Sequence, residues 1–291
     1  MNKPNLFIVG APKCGTTFLY HYLKQHPEIY FPDFKEPHFF GSDLIRKNGA
    51  YNLDFNEYQN LFNTDKKIVG ESSTFYIFSK NAAKEIHEFN PNAKIIIMLR
   101  DLVDLVHSLH AQFIFSGDEI IEDFSQALDM EHDRLNNKSI PKQTTVINKL
   151  FYTSNILELP ENINSFINYF GADKIKYVYL DEIKNDPKKL YFKILDFLNV
   201  DLNVEIPEFK IINKNKIYKS KFIRNFIKRH SIRLGKIRSK IFNKPIGIIK
   251  MIESLNKQEK NRNVIHSSLR NSLINKFSKV ELELNKIIKN H

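Results

Sequence analysis

The chain has 291 residues, 42% of them hydrophobic and 26% charged, and a net charge of +11 at neutral pH. That profile belongs to a globular chain with a full core and excludes wholesale disorder and collagen-like structure. A single cysteine, Cys14, excludes an internal disulfide or a cysteine-based zinc site. At roughly 150 residues per domain, the length fits two domains or one large α/β domain.

No run reaches the 18 or so apolar residues that a membrane span needs. The amino terminus, Met1-Asn2-Lys3-Pro4-Asn5, leads into the short apolar run Leu6-Phe7-Ile8-Val9. That run is too brief for a secretory signal, so the expected compartment is the cytoplasm. The charge is uneven. Residues 210–262 hold 17 Lys and Arg against 2 Asp and Glu, whereas the first 209 residues hold 22 against 29. The basic character therefore belongs to the C-terminal part, which reads as a solvated face or as a surface for an anionic partner.

In chain order, Leu6–Val9 predicts a strand ended by Gly10, and residues 16–25 predict a helix that carries Phe18, Leu19, Tyr22 and Leu23 on one side. Lys67-Ile68-Val69-Gly70 predicts a second strand and residues 81–89 a helix closed by Pro91 and Asn92. Lys94-Ile95-Ile96-Ile97-Met98-Leu99 is the strongest strand signal, an unbroken apolar run suited to burial on both faces. Helices are expected within 102–115 and 124–135, a strand over 176–180, and a helix over 187–198 with Pro187 in its first turn. Alternating strands and helices predict an α/β fold, a P-loop-like three-layer arrangement with a central parallel sheet flanked by helices. Beyond Pro207 the strand signals fade. Residues 220–242 mix Phe and Ile with Lys and Arg, and 267–288 form an amphipathic helix through Leu269, Leu273, Phe277, Leu282 and Ile287. The expected division is an α/β core over 1–209 and a basic helical extension over 210–291 packed on it.

The most informative segment is Val9-Gly10-Ala11-Pro12-Lys13-Cys14-Gly15-Thr16-Thr17, a strand end, a tight loop and a helix start. Such a loop turns backbone N–H groups toward an anion, and the helix N-terminus adds partial positive charge. Lys13 supplies a full charge, and Thr16 and Thr17 supply hydroxyls. Charge-assisted hydrogen bonds of this kind are worth about 1.5–3 kcal/mol each, so the loop suits phosphate or sulfate. It departs from the Walker A pattern, which places lysine directly after the second glycine, where this chain has Thr16. Cys14 reads as a small space-filler within the loop.

Pro12-Lys13-Cys14-Gly15-Thr16-Thr17 followed by Leu19 resembles the 5′-phosphosulfate-binding loop of sulfotransferases that use 3′-phosphoadenosine-5′-phosphosulfate (PAPS). A second segment supports the likeness. Arg100 ends the strongest strand and Ser108 follows eight residues later, which resembles the family's grip on the 3′-phosphate. An arginine at the C-terminal edge of a parallel sheet faces the crevice where ligands of such folds bind, and its planar fork suits phosphate. Residues 101–104 are expected to form a turn before a shorter helix. Leu102 stands where the family usually has proline.

Sulfuryl transfer needs a proton removed from the acceptor, an in-line approach and neutralisation of the charge on the departing phosphate. Lys35-Glu36-Pro37-His38-Phe39-Phe40 resembles the segment of heparan-type sulfotransferases whose glutamate is the general base. The resemblance thus implies Glu36 as base and Lys13 as the group at the bridging oxygen, with no metal required. His38 is the rival base, as in small-molecule sulfotransferases, which usually carry a tryptophan that this chain lacks. Gly70-Glu71-Ser72-Ser73 lies where the heparan-type enzymes have Glu-Lys-Ser-Pro, so Ser72 replaces an expected cation. Tyr152 matches a tyrosine that approaches the nucleotide or acceptor in many members. The implied nucleotide contacts are then Lys13, Cys14, Gly15, Thr16, Thr17, Arg100, Ser108 and Tyr152. Lys214, Lys216, Lys219 and Lys221 are candidates for covering the nucleotide. The expected acceptor carries a hydroxyl or amine, with an anionic glycan or a lipid headgroup among the candidates. Two other classes compete: a P-loop kinase or NTPase, with Asp101 as magnesium holder, and a non-catalytic protein binding a membrane surface through residues 210–262. Nucleic acid is not expected, because no recognised motif accompanies the charge.

Overall fold

The apolar runs pair as a sheet in which every neighbour is parallel. The computed structural model describes residues 3–47, 51–210, 216–218, 257–259 and 264–290. Strand β1 (Leu6–Gly10) is central and wholly buried. The later strands are β2 (Ile29–Tyr30), β3 (Ile68–Glu71), β4 (Lys94–Leu99) and β5 (Ile175–Tyr179), and the sheet order is β2-β3-β1-β4-β5. Leu6 lies opposite Gly70 on one side and Lys94 on the other, so β1 and β4 run alongside each other while β3 ends earlier, opposite Phe7. The expected α/β architecture is the one formed.

Helices cover the sheet in two groups. Helix α1 (Thr16–Leu23) follows the β1 loop, and α2 (Phe55–Asn60) opens with a capping box between Asp54 and Glu57. Helix α3 (Ala82–Phe89) precedes β4. Helix α4 (Leu102–Ser116) begins directly after Asp101, whose carboxylate accepts the Asp104 N–H at 2.7 Å, and ends at Gly117 in the left-handed conformation. The turn expected over 101–104 is therefore helix, and about 1.5 Å of rise per residue carries Ser108 roughly 9 Å along the axis from Leu102.

The helix expected over 124–135 breaks at Met130 into α5 (Phe124–Asp129) and α6 (Glu131–Leu135). Helices α7 (Tyr152–Leu157) and α8 (Leu159–Phe170) were not foreseen from the pattern. Pro160 resembles a breaker but sits in the first turn of α8, where no intrahelical donor is needed. Helix α9 (Leu180–Asn185) leads into α10 (Pro187–Leu198), which opens on the expected proline. Helix α1 packs on α10, and α3 packs on α8.

A two-stranded antiparallel sheet pairs β6 (Lys216–Tyr218) with β7 (Lys257–Glu259). The final helix, α11 (Ser267–Lys289), lies on α4, α7 and α8. It buries Leu273, Phe277, Val280 and Leu284, a stripe at spacings of four and three that gives one apolar seam. Burying such side chains contributes roughly 1.5–3 kcal/mol each before chain entropy is subtracted. Leu282, expected on the apolar side, is 62% exposed. The amphipathic stretch expected over 220–242 lies outside the described residues, as do Lys214, Lys219 and Lys221.

Candidate active site

Each parallel strand delivers its following loop to the same edge of the sheet, so four segments meet there in strand order. The residues after β2 carry Glu36 and His38, and β3 ends in Glu71-Ser72-Ser73. The loop after β1 carries Lys13, and β4 hands over to Arg100.

The β1 loop is held by its backbone. Ala11 donates its N–H to Met98 O at 2.7 Å, which stitches the loop to β4, and Cys14 N–H closes an internal turn on Ala11 O at 3.3 Å. Lys13 and Gly15 both adopt left-handed backbone, with φ of 65° and 92°. Glycine is required at 15 on two counts. A Cβ there would lie 2.5 Å from Ile183 Cδ1 of α9, and its φ disfavours any other residue. Gly10 is equally constrained, since a Cβ would meet Thr74 O at 2.6 Å. Gly15 is the N-cap of α1 and gives no side-chain cap. Helix geometry leaves the first N–H groups of α1 without α-helical acceptors, at the positive end of the helix dipole. Thr16 is buried and Thr17 half-buried at that start. Cys14 is buried, and burial pushes its thiol up to about 12 despite Arg100 and Lys13 nearby, so it is an inert filler.

Arg100 is in direct contact with the Lys13 loop. Arg100 Nη1 donates to Lys13 O at 3.2 Å, and its Nη2 lies 3.4 Å from Asp104 Oδ2. Arg100 Nε is buried and has no hydrogen-bond partner among the described residues. Ser108, also buried, lies further along α4. The Lys13 ammonium donates to Gln112 Oε1 at 3.0 Å, one turn beyond Ser108. Asp101 is engaged as the α4 cap and by Arg270 at 3.6 Å.

The other end of the edge is built from side chains. Glu36 and His38 both have positive φ, 60° and 47°. Arg46 fixes this loop by donating through Nη2 to the carbonyls of His38, Phe40 and Gly41 at 2.8, 2.6 and 3.1 Å. Ser73 Oγ accepts the His38 N–H at 2.8 Å, which joins the loop to the β3 tip. Lys35 Nζ lies 2.7 Å from Glu36 Oε1, and His38 Nε2 lies 3.4 Å from Oε2. Burial alone would raise the Glu36 pKa; Lys35 and His38 outweigh it and hold the carboxyl well below the usual range. Burial lowers the His38 pKa more than Glu36 raises it. The Glu36 side chain is 34% exposed and that of His38 only 4%.

Two further titratable groups act on this pair electrostatically. Glu71 is fully buried and accepts the hydroxyls of Tyr76 at 2.7 Å and Tyr58 at 3.3 Å, and burial raises its pKa to about 7. Lys149 comes from a short 3-10 helix, Ile147–Leu150. Its ammonium bonds Asp118 at 3.2 Å and Thr145 at 2.9 Å among the rings of Tyr51, Phe75 and Phe113. Burial opposes its charge, but Tyr51, Asp118 and Glu36 more than compensate and raise its pKa. Ser72 Oγ, where the resemblance leads one to expect a cation, is buried and unpartnered among the described residues.

Tyr152 packs on Phe113, whose ring also lies under the Lys149 ammonium. It is fully buried, and its hydroxyl donates to Glu119 Oε2 at 3.1 Å. Glu119 is itself paired with the buried Arg134 at 2.7 Å. The tyrosine expected to approach nucleotide or acceptor thus completes an internal charge cluster beneath α4. Gln112, Arg46 and Lys149 escaped the sequence reading because each reaches the site from a segment with no motif of its own.

Residues 3–243 match the family model of the sulfotransferase domain, and the chain belongs to that family of transferases. Carbohydrate sulfotransferase 15 of Mus musculus is 26% identical over 247 residues, covering 68% of this chain and 44% of that protein. Heparan sulfate glucosamine 3-O-sulfotransferase 6 of Mus musculus is 24% identical over 199 residues, covering 68% of this chain and 52% of its own length. The chain thus spans about half the length of these relatives. A solved sulfotransferase from Alicyclobacillus acidocaldarius is 26% identical with a TM-score of 0.63, covering 86% of this chain and 100% of that one.

Proposed function

We propose that this chain transfers a sulfuryl group from PAPS to a hydroxyl or amine of a carbohydrate acceptor. The observation that carries the reading is the direct contact between Arg100 and the Lys13 loop. That bond brings Arg100 against the backbone of the Lys13 loop on the adjacent strand tip, which supports a single crevice for both cations. The unpartnered Arg100 Nε and the uncapped start of α1 fit a bisphosphorylated nucleotide. Lys13, Thr16, Thr17 and the backbone from Cys14 to Gly15 would hold its 5′ end, and Arg100 with Ser108 its 3′-phosphate. When bound, the nucleotide supplies the sulfuryl group on a phosphosulfate linkage.

The chain's own residues supply the rest. Glu36 is partly exposed and ionised at neutral pH, and it would take the acceptor proton. His38 is buried beside it and positions the carboxylate through Oε2. Lys13 places its charge where negative charge develops on the departing phosphate. Lys149 adds positive potential to the acceptor side, where Ser72 adds none. The carbohydrate acceptor follows from the names of the relatives, one a carbohydrate and the other a heparan sulfate glucosamine sulfotransferase. In this reading residues 1–209 form the transfer core, with 210–291 as its extension.

A thermal-shift comparison tests the donor. 3′-Phosphoadenosine-5′-phosphate should raise the melting temperature by mass action, and ATP with magnesium should not. A shift with ATP and magnesium alone would return the site to the kinase class.

A further inference from the structure

Arg270 lies on α11, outside residues 3–243 that match the family model, yet it reaches the nucleotide end of the site. Its Nη1 is 2.9 Å from Asp104 Oδ1 and its Nη2 3.6 Å from Asp101 Oδ1. The second oxygen of Asp104 faces Arg100 at 3.4 Å. One carboxylate is thus shared between two guanidinium groups, and the shorter contact goes to the arginine from the C-terminal helix.

The unequal sharing has a physical consequence. Asp104 stands four residues after Arg100, the spacing at which a carboxylate and an arginine close into a pair. Freed of Arg270, it would settle on Arg100, neutralise it and compete with any incoming phosphate. Held by Arg270, it leaves Arg100 with a long contact on Nη2, a bond from Nη1 to the Lys13 carbonyl and an unpartnered Nε. Arg270 is set in place by the apolar seam of α11, which starts one turn later at Leu273.

Resting on the reading of Arg100 as a phosphate contact, we propose that Arg270 is a positioning residue of the nucleotide site. By holding Asp104 it keeps Arg100 available to the donor and couples docking of the C-terminal helix to donor binding. The coupling is reciprocal, so donor binding also tightens the seat of α11.

Calorimetric titration of the full chain with 3′-phosphoadenosine-5′-phosphate tests this with four variants. Arg100→Ala should weaken binding at least about tenfold, the loss of one charged hydrogen-bonding group. Arg270→Ala should weaken it roughly fivefold, the upper end for a partly exposed pair. Asp104→Asn alone should not weaken it, and Arg270→Ala combined with Asp104→Asn should return to wild-type affinity, which a misfolded helix could not do. Wild-type affinity in Arg270→Ala, with Arg100→Ala weakened, overturns this inference alone. So does a double variant as weak as Arg270→Ala, since Arg270 would then act on the ligand or only on the fold. No binding to the wild-type chain, or an unaffected Arg100→Ala, overturns the nucleotide reading and this inference with it.

Discussion

The two ends of the crevice are made differently. At the β1 and β4 tips the anion end is mostly backbone: a glycine-bounded turn, an uncapped helix start and an arginine donating to a carbonyl. At the β2 and β3 tips the acceptor end is a web of side chains, in which Lys35 and Arg46 from the same loop and Ser73 from the β3 tip fix Glu36 and His38. Backbone sites tolerate change at neighbouring side chains, because the donors belong to the turn itself. A side-chain web concentrates its function in a few groups and ties their proton affinities to one another.

Single substitutions should separate the two ends. The largest effect is expected at Glu36, where Glu36→Gln should cut turnover by roughly 10²–10⁴ and leave binding of 3′-phosphoadenosine-5′-phosphate unchanged. Lys13→Ala should follow with a loss of about 10²–10³ in turnover. Steady-state kinetics with saturating acceptor measure both, and full turnover in Glu36→Gln would move the base elsewhere.

The buried Glu71 predicts a smaller, pH-dependent effect. Its pKa rises from the usual 4.5 to about 7 on folding, so between those values the folded chain keeps a proton that the unfolded chain has released. The stability it contributes is full below 4.5 and is lost as pH rises through about 7. Urea midpoints across that window should decline, and Glu71→Gln should flatten the decline. The smallest effect is expected at Tyr152. Tyr152→Phe should cost about 1 kcal/mol of stability and leave turnover intact, since Arg134 still holds Glu119. A tenfold loss of turnover in that variant would restore the tyrosine to the nucleotide.

The same contrast explains what could be read without coordinates. Lys13, Gly15 and Arg100 stand out because local spacing alone puts them on strand tips, and strand tips of a parallel sheet converge. Lys149 lies more than a hundred residues from Glu36, in a polar stretch with no periodicity, and only the packing of Tyr51, Phe75 and Phe113 brings it near. Tyr152 matched a family position, yet the buried Arg134–Glu119 pair decides where its hydroxyl goes. Leu282 fits a helical period on paper, but Val280 and Leu284 make the tighter seam against α4, α7 and α8, which turns Leu282 outward. Pattern finds what is local; competition among distant partners settles the rest.

The sheet's outer boundaries carry a further consequence. Open strand margins present rows of unpaired amides that recruit other chains. Here one margin is β2, two residues long between Pro27 and Pro32, and it offers too few donors to template a foreign strand. The other, β5, carries Lys176, whose charge resists a flat apolar approach. An architecture that turns its strand-following loops to one edge thus also leaves flanks poorly suited to pairing with a foreign strand.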